Sequence, residues 1–222
     1  MSRSNSEADN GQRPLDKHDI AALIARDIPQ GSFVNLGIGQ PTLVADHLSP
    51  DSGVVLHTEN GMLHMGPAAH EDHIDPDLTN AGKVPVTELP GAAYFHHADS
   101  FAMMRGGHLD ICVLGAFQVS ARGDLANWHT GAPDAIPAVG GAMDLAIGAK
   151  KVFVMMNLFT RDGTPKLVAD CTYPLTGLGC VDRVYTDFGV FDITPRGINV
   201  RETFGIDEAQ LADRLALPLV SE

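Results

Sequence analysis

The segment at residues 152–156 reads Val-Phe-Val-Met-Met, and every position in it is apolar. A strand that is apolar on both faces is buried on both faces, which is typical of a parallel sheet covered by helices on each side. Glycine turns at residues 37–39 and 140–141 each lead into a helical pattern, and strand patterns after Pro174 alternate between polar and apolar residues. We therefore predict an α/β fold, a three-layer α/β/α sandwich of mostly parallel strands with some antiparallel strands toward the C-terminus.

The spacing of apolar residues predicts the individual elements. Apolar positions recur at helical spacing from Leu15 onward, with Asp16 placed to cap a helix and Pro29 placed after its end. Further patterns predict helices at residues 42–48, 100–105, 140–148 and 207–215, and strands at residues 33–39 (running into the first glycine turn), 54–56, 84–87, 110–117, 152–156, 181–186, 190–193 and 198–201. Residues 1–14 are polar and are predicted to form a disordered tail, which leaves residues 15–222 as a single domain.

The composition excludes several classes of partner. The chain has 222 residues and a formal net charge of −13. Nucleic acids and anionic membranes require clustered Lys and Arg, so neither is expected to bind. No apolar run approaches the length of a membrane span and residues 1–7 do not resemble a signal peptide, so we expect a cytoplasmic protein. The three cysteines show no Cys-x-x-Cys spacing, which indicates a reducing compartment and no metal framework.

Glu59 is the main candidate for chemistry. It follows the apolar run at residues 54–56 and precedes Asn60-Gly61. Gly61 can adopt the positive φ that a tight turn requires, so this turn presents the Glu59 carboxylate at the carboxyl end of a strand, where open α/β sheets bind ligands. A carboxylate is ionised at neutral pH and can act as a covalent nucleophile. The same pattern would also suit a turn glutamate that points into solvent.

Two other kinds of site have little support in the sequence. The glycine turn at residues 37–39 has Thr42 where a dinucleotide fingerprint requires its third glycine, and no Gly-x-x-x-x-Gly-Lys-Ser/Thr motif occurs. Residues 70–77 are rich in histidine and acidic residues, but they have the composition of a solvated loop. We therefore predict neither a nucleotide site nor a metal site.

Six short motifs follow one another between residues 36 and 145. In chain order they are Leu36-Gly37-Ile38-Gly39, Glu59-Asn60-Gly61, Asn80-Ala81-Gly82-Lys83, Arg105-Gly106-Gly107-His108, Gly123-Asp124-Leu125-Ala126-Asn127-Trp128 and Gly140-Gly141-Ala142-Met143-Asp144-Leu145. Together they resemble the B subunit of the family I (3-oxoacid) CoA-transferases, and the resemblance covers nearly all of residues 15–200.

The resemblance implies a set of site residues. The family nucleophile corresponds to Glu59. Asn35 and Lys83 are implied to line or close the site. The backbone at Gly141 and Ala142 is implied to face the thioester.

The resemblance also implies what binds the chain. Asn60, next to the nucleophile in its motif, is expected among the substrate-binding residues. Acyl-CoA and a 3-oxo acid are the implied substrates, and no cofactor is expected because CoA enters as a thioester substrate. The implied partner is the A subunit of the CoA-transferase, in a hetero-oligomer of composition A2B2.

Within the family, two substrate classes compete. Residues 95–101 and 128–131 resemble those of 3-oxoadipate CoA-transferases, which implies transfer of CoA from succinyl-CoA to 3-oxoadipate in aromatic catabolism. 3-Oxoadipate carries a distal carboxylate that acetoacetate lacks, and His96, His97 or His129 is predicted to bind it. A structural histidine, hydrogen-bonded in a partly buried loop, would fit the same sequence. The alternative function is a succinyl-CoA:acetoacetate CoA-transferase.

Two further points bear on function. Sugar-phosphate isomerases and non-catalytic sugar-sensing domains of similar fold are more remote alternatives, because fold does not imply function. His64 stands where the family usually has glycine. If that position needs a positive φ, His64 strains the loop behind the nucleophile, and altered specificity or a reduced rate is expected.

Overall fold

The computed structural model describes residues 13–132, 134, 137 and 140–220. In chain order, its strands are β1 (Phe33–Leu36), β2 (Val55–Thr58), β3 (Met62–Ala68), β4 (Val86–Tyr94), β5 (Ile111–Leu114), β6 (Gln118–Ser120), β7 (Leu125–Ala126), β8 (Lys151–Met155), β9 (Leu167–Val168), β10 (Arg183–Tyr185), β11 (Gly189–Thr194), β12 (Gly197–Thr203) and β13 (Leu219–Val220). Ten of them form one sheet in the order β13-β12-β11-β10-β8-β5-β1-β2-β3-β4, and β7-β6-β9 form a small second sheet.

The centre of the large sheet is parallel. Strands β10, β8, β5, β1 and β2 pair in parallel in that order. All four residues of β5 are buried, as are all residues of β8 except the first. The continuous apolar run at residues 152–156 is therefore a central strand, as predicted. Because these strands are parallel, their carboxyl ends lie at one edge of the sheet.

In the described ranges, four α-helices accompany the sheets: α1 (Lys17–Asp27), α2 (His97–Arg105), α3 (Ala142–Gly148) and α4 (Glu208–Leu215). The predicted cap of α1 is confirmed: the Asp16 side chain accepts the backbone N–H groups of His18 and Asp19, and the Asp19 side chain accepts the Asp16 N–H. This capping box satisfies donors that the first turn of a helix leaves unpaired. An equivalent box at Asp207 begins α4.

Side chains of the central strands alternate between two cores. In β5, Cys112 and Leu114 pack with buried residues of α2, α3 and α4, whereas Ile111 and Val113 pack with buried residues of α1. Strand β8 alternates in the same way. The sheet thus has a helical layer on each face, and the predicted α/β/α sandwich is confirmed.

The chain turns back after Glu59 in a way that the sequence analysis did not predict. Strand β3 is antiparallel to β2, and β4 is antiparallel to β3. Antiparallel strands were predicted only toward the C-terminus, where β10, β11 and β12 do pair in this way. Strand β3 contains Gly66 and Pro67, which weaken a strand pattern in sequence. Strand β4 has nine residues, whereas only residues 84–87 were predicted as a strand.

Three other elements differ from the predictions. The helix predicted at residues 42–48 is a 3₁₀ helix, Gln40–His47, in which Thr42 donates both its N–H and its hydroxyl to the Gly39 carbonyl. The strand predicted at residues 110–117 ends at Leu114, and the chain then enters the small sheet. Helix α2 begins three residues earlier than predicted because the His96 side chain caps it.

The predicted tail falls mostly outside the described residues, which begin at Arg13. Arg13 forms an ion pair with Asp19 at 3.2 Å. The disordered tail at residues 1–14 and the single domain at residues 15–222 therefore stay predictions. In the part of the chain that the structure describes, no helix is both long enough and apolar enough to cross a bilayer.

Candidate active site

Glu59 is the first residue after β2. The turn that carries it is closed by Thr58, whose carbonyl accepts the Gly61 N–H at 3.2 Å and whose hydroxyl accepts the Met62 N–H at 3.0 Å. Gly61 has a φ of 111°, and a Cβ atom on it would collide with the Phe95 carbonyl. The turn therefore requires glycine for two independent reasons. The predicted positive φ at Gly61 is confirmed.

The Glu59 carboxylate lies against the start of α3. A Cβ atom on Gly141 would lie 2.5 Å from Glu59 Oε2 and 2.8 Å from its Cδ. Burial raises the pKa of Glu59 above its ordinary value, and the charge of Asp144 adds to this rise. The backbone N–H of Gly141 and the charge of His97 act in the opposite direction. The carboxylate is thus partly withdrawn from water beside a backbone donor.

A buried hydrogen-bond network holds the peptide groups before Glu59. Asn35 Nδ2 donates to the His57 carbonyl and lies 3.1 Å from both that oxygen and His57 Nδ1. Ser100 Oγ donates to the Thr58 carbonyl at 3.0 Å and lies 3.0 Å from His57 Nε2. Because the Ser100 hydroxyl has a single proton, His57 Nε2 must be the donor to Ser100, and Nδ1 accepts from Asn35.

His57 is consequently a neutral histidine with a defined tautomer. Burial lowers the pKa of His57 to about 4, and its hydrogen bond with Ser100 opposes this effect only in part. The two carbonyl groups of residues 57 and 58 are each held by a buried side chain from another element. The backbone that leads into Glu59 is therefore fixed from two sides.

Glu59 faces a cavity of about 810 Å³ at the carboxyl ends of β1, β2, β5 and β8. This is the edge of the sheet at which open α/β folds bind ligands. Among the predicted site residues, the cavity is lined by Asn35, Glu59, Asn60, Gly141 and Ala142. The structure thus brings the predicted nucleophile and the predicted glycine turn together, although they are far apart in sequence.

His96 and His129 do not line this cavity. His96 Nδ1 accepts the Ala98 N–H at 3.0 Å as the cap of α2. His129 Nδ1 accepts the Gly131 N–H at 2.8 Å. Each imidazole therefore has a structural role through Nδ1, and binding of the distal carboxylate by either residue stays a prediction.

His97 and Lys83 are also not among the cavity-lining residues. The His97 ring packs on Phe101 with 4.7 Å between the ring centroids, and its charge acts on Glu59. Lys83 has a φ of 60°, and its N–H donates to the carbonyl of Asn80, which does line the cavity. Their roles as substrate-binding residues stay predictions.

Several polar residues of the cavity were not singled out from the sequence. His57 and Lys166 line it. So does Asn127, whose amide donates to the Gly115 carbonyl at 3.1 Å and whose oxygen accepts the Thr176 hydroxyl at 2.6 Å. Asn127 belongs to a motif quoted above, but nothing in the local sequence around Lys166 marks it as a site residue.

His64 adopts a φ of 60°. This φ lies in the left-handed region that favours glycine, so the position does require the positive φ that the sequence analysis considered. Histidine tolerates this region better than branched residues do, but it still carries strain there. The strained residue lies in β3, five positions after the nucleophile.

Residues 17–203 match the family model described as Coenzyme A transferase. The chain belongs to this family. It is 62% identical over 188 residues to the B subunit of 3-oxoadipate CoA-transferase from Acinetobacter baylyi, across 85% of this chain and 87% of the relative. It is 58% identical over 209 residues to the protein of the same name from Pseudomonas putida, across 94% and 98%. Identity to the B subunit of succinyl-CoA:3-ketoacid coenzyme A transferase from Helicobacter pylori is 46% over 183 residues, across 82% and 87%.

Solved structures support the fold. An acyl-CoA transferase of Escherichia coli O157:H7 superposes with a TM-score of 0.72 at 20% sequence identity, covering 96% of this CoA-transferase chain. That protein is longer, and this chain spans 44% of it. The decarboxylase AibA/AibB superposes with a TM-score of 0.66 at 20% identity, across 92% of this chain and 85% of the other. The fold alone therefore does not decide the reaction.

The predicted absence of a metal and of a cofactor stays a prediction. Within the described ranges, no three His, Cys, Asp or Glu side chains are grouped as a metal ion would require. The cavity residues are mainly backbone, amide and apolar groups around one carboxylate and one lysine. This lining fits an organic substrate.

Proposed function

We propose that this CoA-transferase chain is the B subunit of an enzyme that transfers CoA from succinyl-CoA to 3-oxoadipate through a glutamyl-CoA thioester on Glu59. The observation that carries the proposal is the placement of the Glu59 carboxylate at the cavity, in contact with the backbone of Gly141. Covalent catalysis by a glutamate divides the transfer into two half-reactions on one residue.

In the first half-reaction, the Glu59 carboxylate attacks the thioester carbonyl of the acyl-CoA. The C–S bond breaks, and the CoA thiolate leaves a mixed anhydride on Glu59. The thiolate then attacks the Glu59 carbonyl, the acyl carboxylate leaves, and a glutamyl-CoA thioester remains. The carboxylate of the acceptor acid reverses these steps and departs as its CoA thioester.

The arrangement of the site supports this chemistry. Each addition develops negative charge on an oxygen, and backbone N–H groups at Gly141 and Ala142 are suitable donors for it. The buried network around His57 holds the backbone before Glu59, so the carboxylate needs little reorganisation to attack. Asn60 and Asn35 line the same cavity, which supports the proposal that they contact the substrate.

The choice of 3-oxoadipate rests on the relatives. The two with 58% and 62% identity are named as B subunits of 3-oxoadipate CoA-transferase, whereas the Helicobacter pylori relative at 46% acts, by its name, on succinyl-CoA and a 3-ketoacid. The second candidate is therefore a succinyl-CoA:acetoacetate transferase. Measuring kcat/KM for 3-oxoadipate and acetoacetate with succinyl-CoA as donor separates the two, because a preference for acetoacetate would refute the first.

We also propose that an A subunit is the partner of this chain, since the relatives are named as B subunits. The net charge of −13 suggests that the cations that hold the CoA phosphates come largely from the partner. The isolated chain is expected to be inactive and to gain activity when the A subunit is added. Equal turnover by the isolated chain and the mixture would contradict this.

The covalent step has a direct test. The A–B complex is incubated with succinyl-CoA and treated with hydroxylamine or borohydride, and the modified peptide is mapped by mass spectrometry. Modification is expected at Glu59, and Glu59→Gln should abolish it. Glu88→Gln, an exposed glutamate on β4, is the matched control and should retain the adduct. An adduct on any other residue would refute the proposed mechanism.

A further inference from the structure

Lys166 places a cationic group at the cavity without an anionic partner. The residue is half-buried and lines the cavity that Glu59 faces. Among the described residues, its ammonium makes no ion pair and no hydrogen bond, whereas Lys150 and Lys151 pair with Asp110 and Asp182 at 2.8 and 2.7 Å. A half-buried ammonium without a partner costs free energy, which an incoming anion would offset.

The charge of Asp187 acts on Lys166, and the Asp187 carboxylate accepts hydrogen bonds from other residues. Asp187 Oδ1 accepts the Leu158 N–H at 2.8 Å, and Oδ2 is 3.5 Å from Asn157 Nδ2. Burial lowers the pKa of Lys166, and Asp187 offsets this effect only in part. No ion pair joins the two side chains among the described residues, so the Lys166 ammonium can pair with an anion in the cavity.

Lys166 lies near the carboxyl end of a central strand. Its N–H donates to the Leu158 carbonyl, just beyond the carboxyl end of β8. Strands β2 and β8 are separated by β1 and β5, so three inter-strand spacings put their ends about 14 Å apart. Glu59 and Lys166 both line the cavity at this edge of the sheet.

A six-carbon diacid carries its second carboxylate close to the reacting one. Five carbon–carbon bonds of about 1.5 Å each separate its carboxylates by about 6 Å in the extended form. The phosphates of CoA lie much farther from the thioester, beyond the whole pantetheine arm, and phosphate groups are usually held by several donors. A single lysine that lines the cavity of Glu59 suits a carboxylate better than a phosphate.

We propose that Lys166, rather than His96, His97 or His129, binds the distal carboxylate of the dicarboxylic substrate while the other end of the substrate reacts at Glu59. The inference rests on the proposed function and adds a residue that determines specificity for diacids over monoacids. A monocarboxylic acceptor such as acetoacetate would leave the Lys166 ammonium unpaired. Succinyl-CoA also has a free carboxylate and is expected to use the same lysine in the donor half-reaction.

The test uses the A–B complex with Lys166→Met, which keeps the length of the side chain and removes the charge. In a reaction with a covalent enzyme intermediate, kcat/KM for the acceptor reports the second half-reaction alone. Lys166→Met should lower kcat/KM for 3-oxoadipate by about 10- to 150-fold, the range expected for a lost hydrogen bond between charged groups. The value for acetoacetate should change by less than about 3-fold, within the small effects of a lost neutral contact.

Two control variants and one further measurement accompany Lys166→Met. Lys166→Arg keeps the charge and should recover much of the preference for the diacid. Lys150→Met, which removes an exposed lysine remote from the cavity, should leave all rates unchanged. In the donor half-reaction, Lys166→Met should weaken succinyl-CoA more than acetoacetyl-CoA, which has no free carboxylate.

Other outcomes would overturn the proposal. Equal losses for diacid and monoacid substrates, with raised KM for every CoA thioester, would assign Lys166 to a phosphate of CoA. Failure of Lys166→Met to assemble with the A subunit would assign it to an acid of the partner. No change in any rate would show that the anion binds elsewhere. If wild-type enzyme fails to use 3-oxoadipate, the proposed acceptor is wrong, but the two donors still test Lys166.

Discussion

The carboxylate of Glu59 rests against the backbone of Gly141, where a Cβ atom would lie 2.5 Å from Oε2. Gly141 has a φ of −85°, a value that residues with side chains adopt without strain. The three atoms nearest to a Cβ at Gly141 all belong to Glu59, so substitution by alanine acts first on the position of the carboxylate. This makes the pair a clean test of how closely the nucleophile must be positioned.

Gly141→Ala should lower kcat by about 100-fold, since a displacement near 1 Å at the reacting group has effects of that order. The melting temperature should stay near that of wild type. Steady-state kinetics and thermal unfolding of the A–B complex measure the two effects. Glu59→Asp shortens the carboxylate by one methylene, so its combination with Gly141→Ala should lose less than the product of the single losses. If the loss in kcat of the double variant equalled the product of the single losses, the methyl group would not act through Glu59.

The two requirements on Gly61 can be separated with a second glycine. Gly91 has a φ of 89° and nothing within 4 Å of a Cβ atom, whereas Gly61 combines a φ of 111° with a collision against Phe95. Gly91→Ala should reduce the free energy of unfolding by about 1–2 kcal/mol, the cost of the left-handed conformation alone. Gly61→Ala should cost at least about twice as much because the steric collision is added. Denaturant unfolding of both variants measures this, and equal losses would exclude a steric contribution at Gly61.

The left-handed φ of 60° at His64 predicts the sign of two substitutions. His64→Gly removes strain of about 1–2 kcal/mol, offset by the larger chain entropy of glycine, so a net gain of about 0.5–1 kcal/mol is expected. His64→Val should instead destabilise the protein, because branched residues rarely adopt this conformation. The free energy of unfolding measures both variants. A loss of stability in His64→Gly would show that the imidazole makes contacts worth more than the strain.

Local signals in the sequence were sufficient for most elements of the fold. Asp16 and Asp207 cap helices as their positions indicate, and the apolar run at residues 152–156 is buried on both faces as expected. The hairpin after Glu59 was missed because the need for Gly66 in β3 arises from a neighbouring strand. A Cβ atom on Gly66 would collide with Thr87, 21 positions later, and no local pattern contains that information.

The site shows the same division between local and distant information. Glu59 and Gly61 were identifiable because strand end and turn are adjacent in sequence. The network around His57 joins it to Asn35 and Ser100, which are 22 and 43 residues away. Lys166 lies in an unremarkable loop segment, and only the parallel order of the strands brings it to the cavity of Glu59. Such residues can be identified only when the order of the strands in the sheet is known.

The buried neutral His57 predicts a pH dependence of stability. Its pKa is about 4 in the folded protein, against an ordinary value of 6.5, so between these values the unfolded chain takes up a proton and the folded chain does not. Stability should therefore fall as the pH falls from about 6.5 to about 4, by a contribution of about 3 kcal/mol in total. Unfolding in denaturant as a function of pH, for wild type and His57→Gln, isolates this contribution as a difference.

His57→Gln is the informative variant because glutamine can accept from Asn35 through its oxygen and donate to Ser100 through its nitrogen. It should keep most of the activity while losing the pH dependence. His57→Leu removes both contacts and should lower kcat. Equal activity of the two variants would show that the network does not position Glu59.

The acid limit of activity should respond in opposite directions to two charges near the nucleophile. Only ionised Glu59 attacks the thioester, and burial raises its pKa, so the rate should begin to fall at a higher pH than for an exposed glutamate. The charge of His97 lowers this pKa, and the charge of Asp144 raises it. His97→Gln should therefore move the acidic limb of kcat/KM to higher pH, and Asp144→Asn should move it to lower pH. The pH profiles of the A–B complex, measured with one acyl-CoA donor, test both shifts. If the acidic limb moved in the same direction in the two variants, the variants would act through loop structure rather than through charge at Glu59.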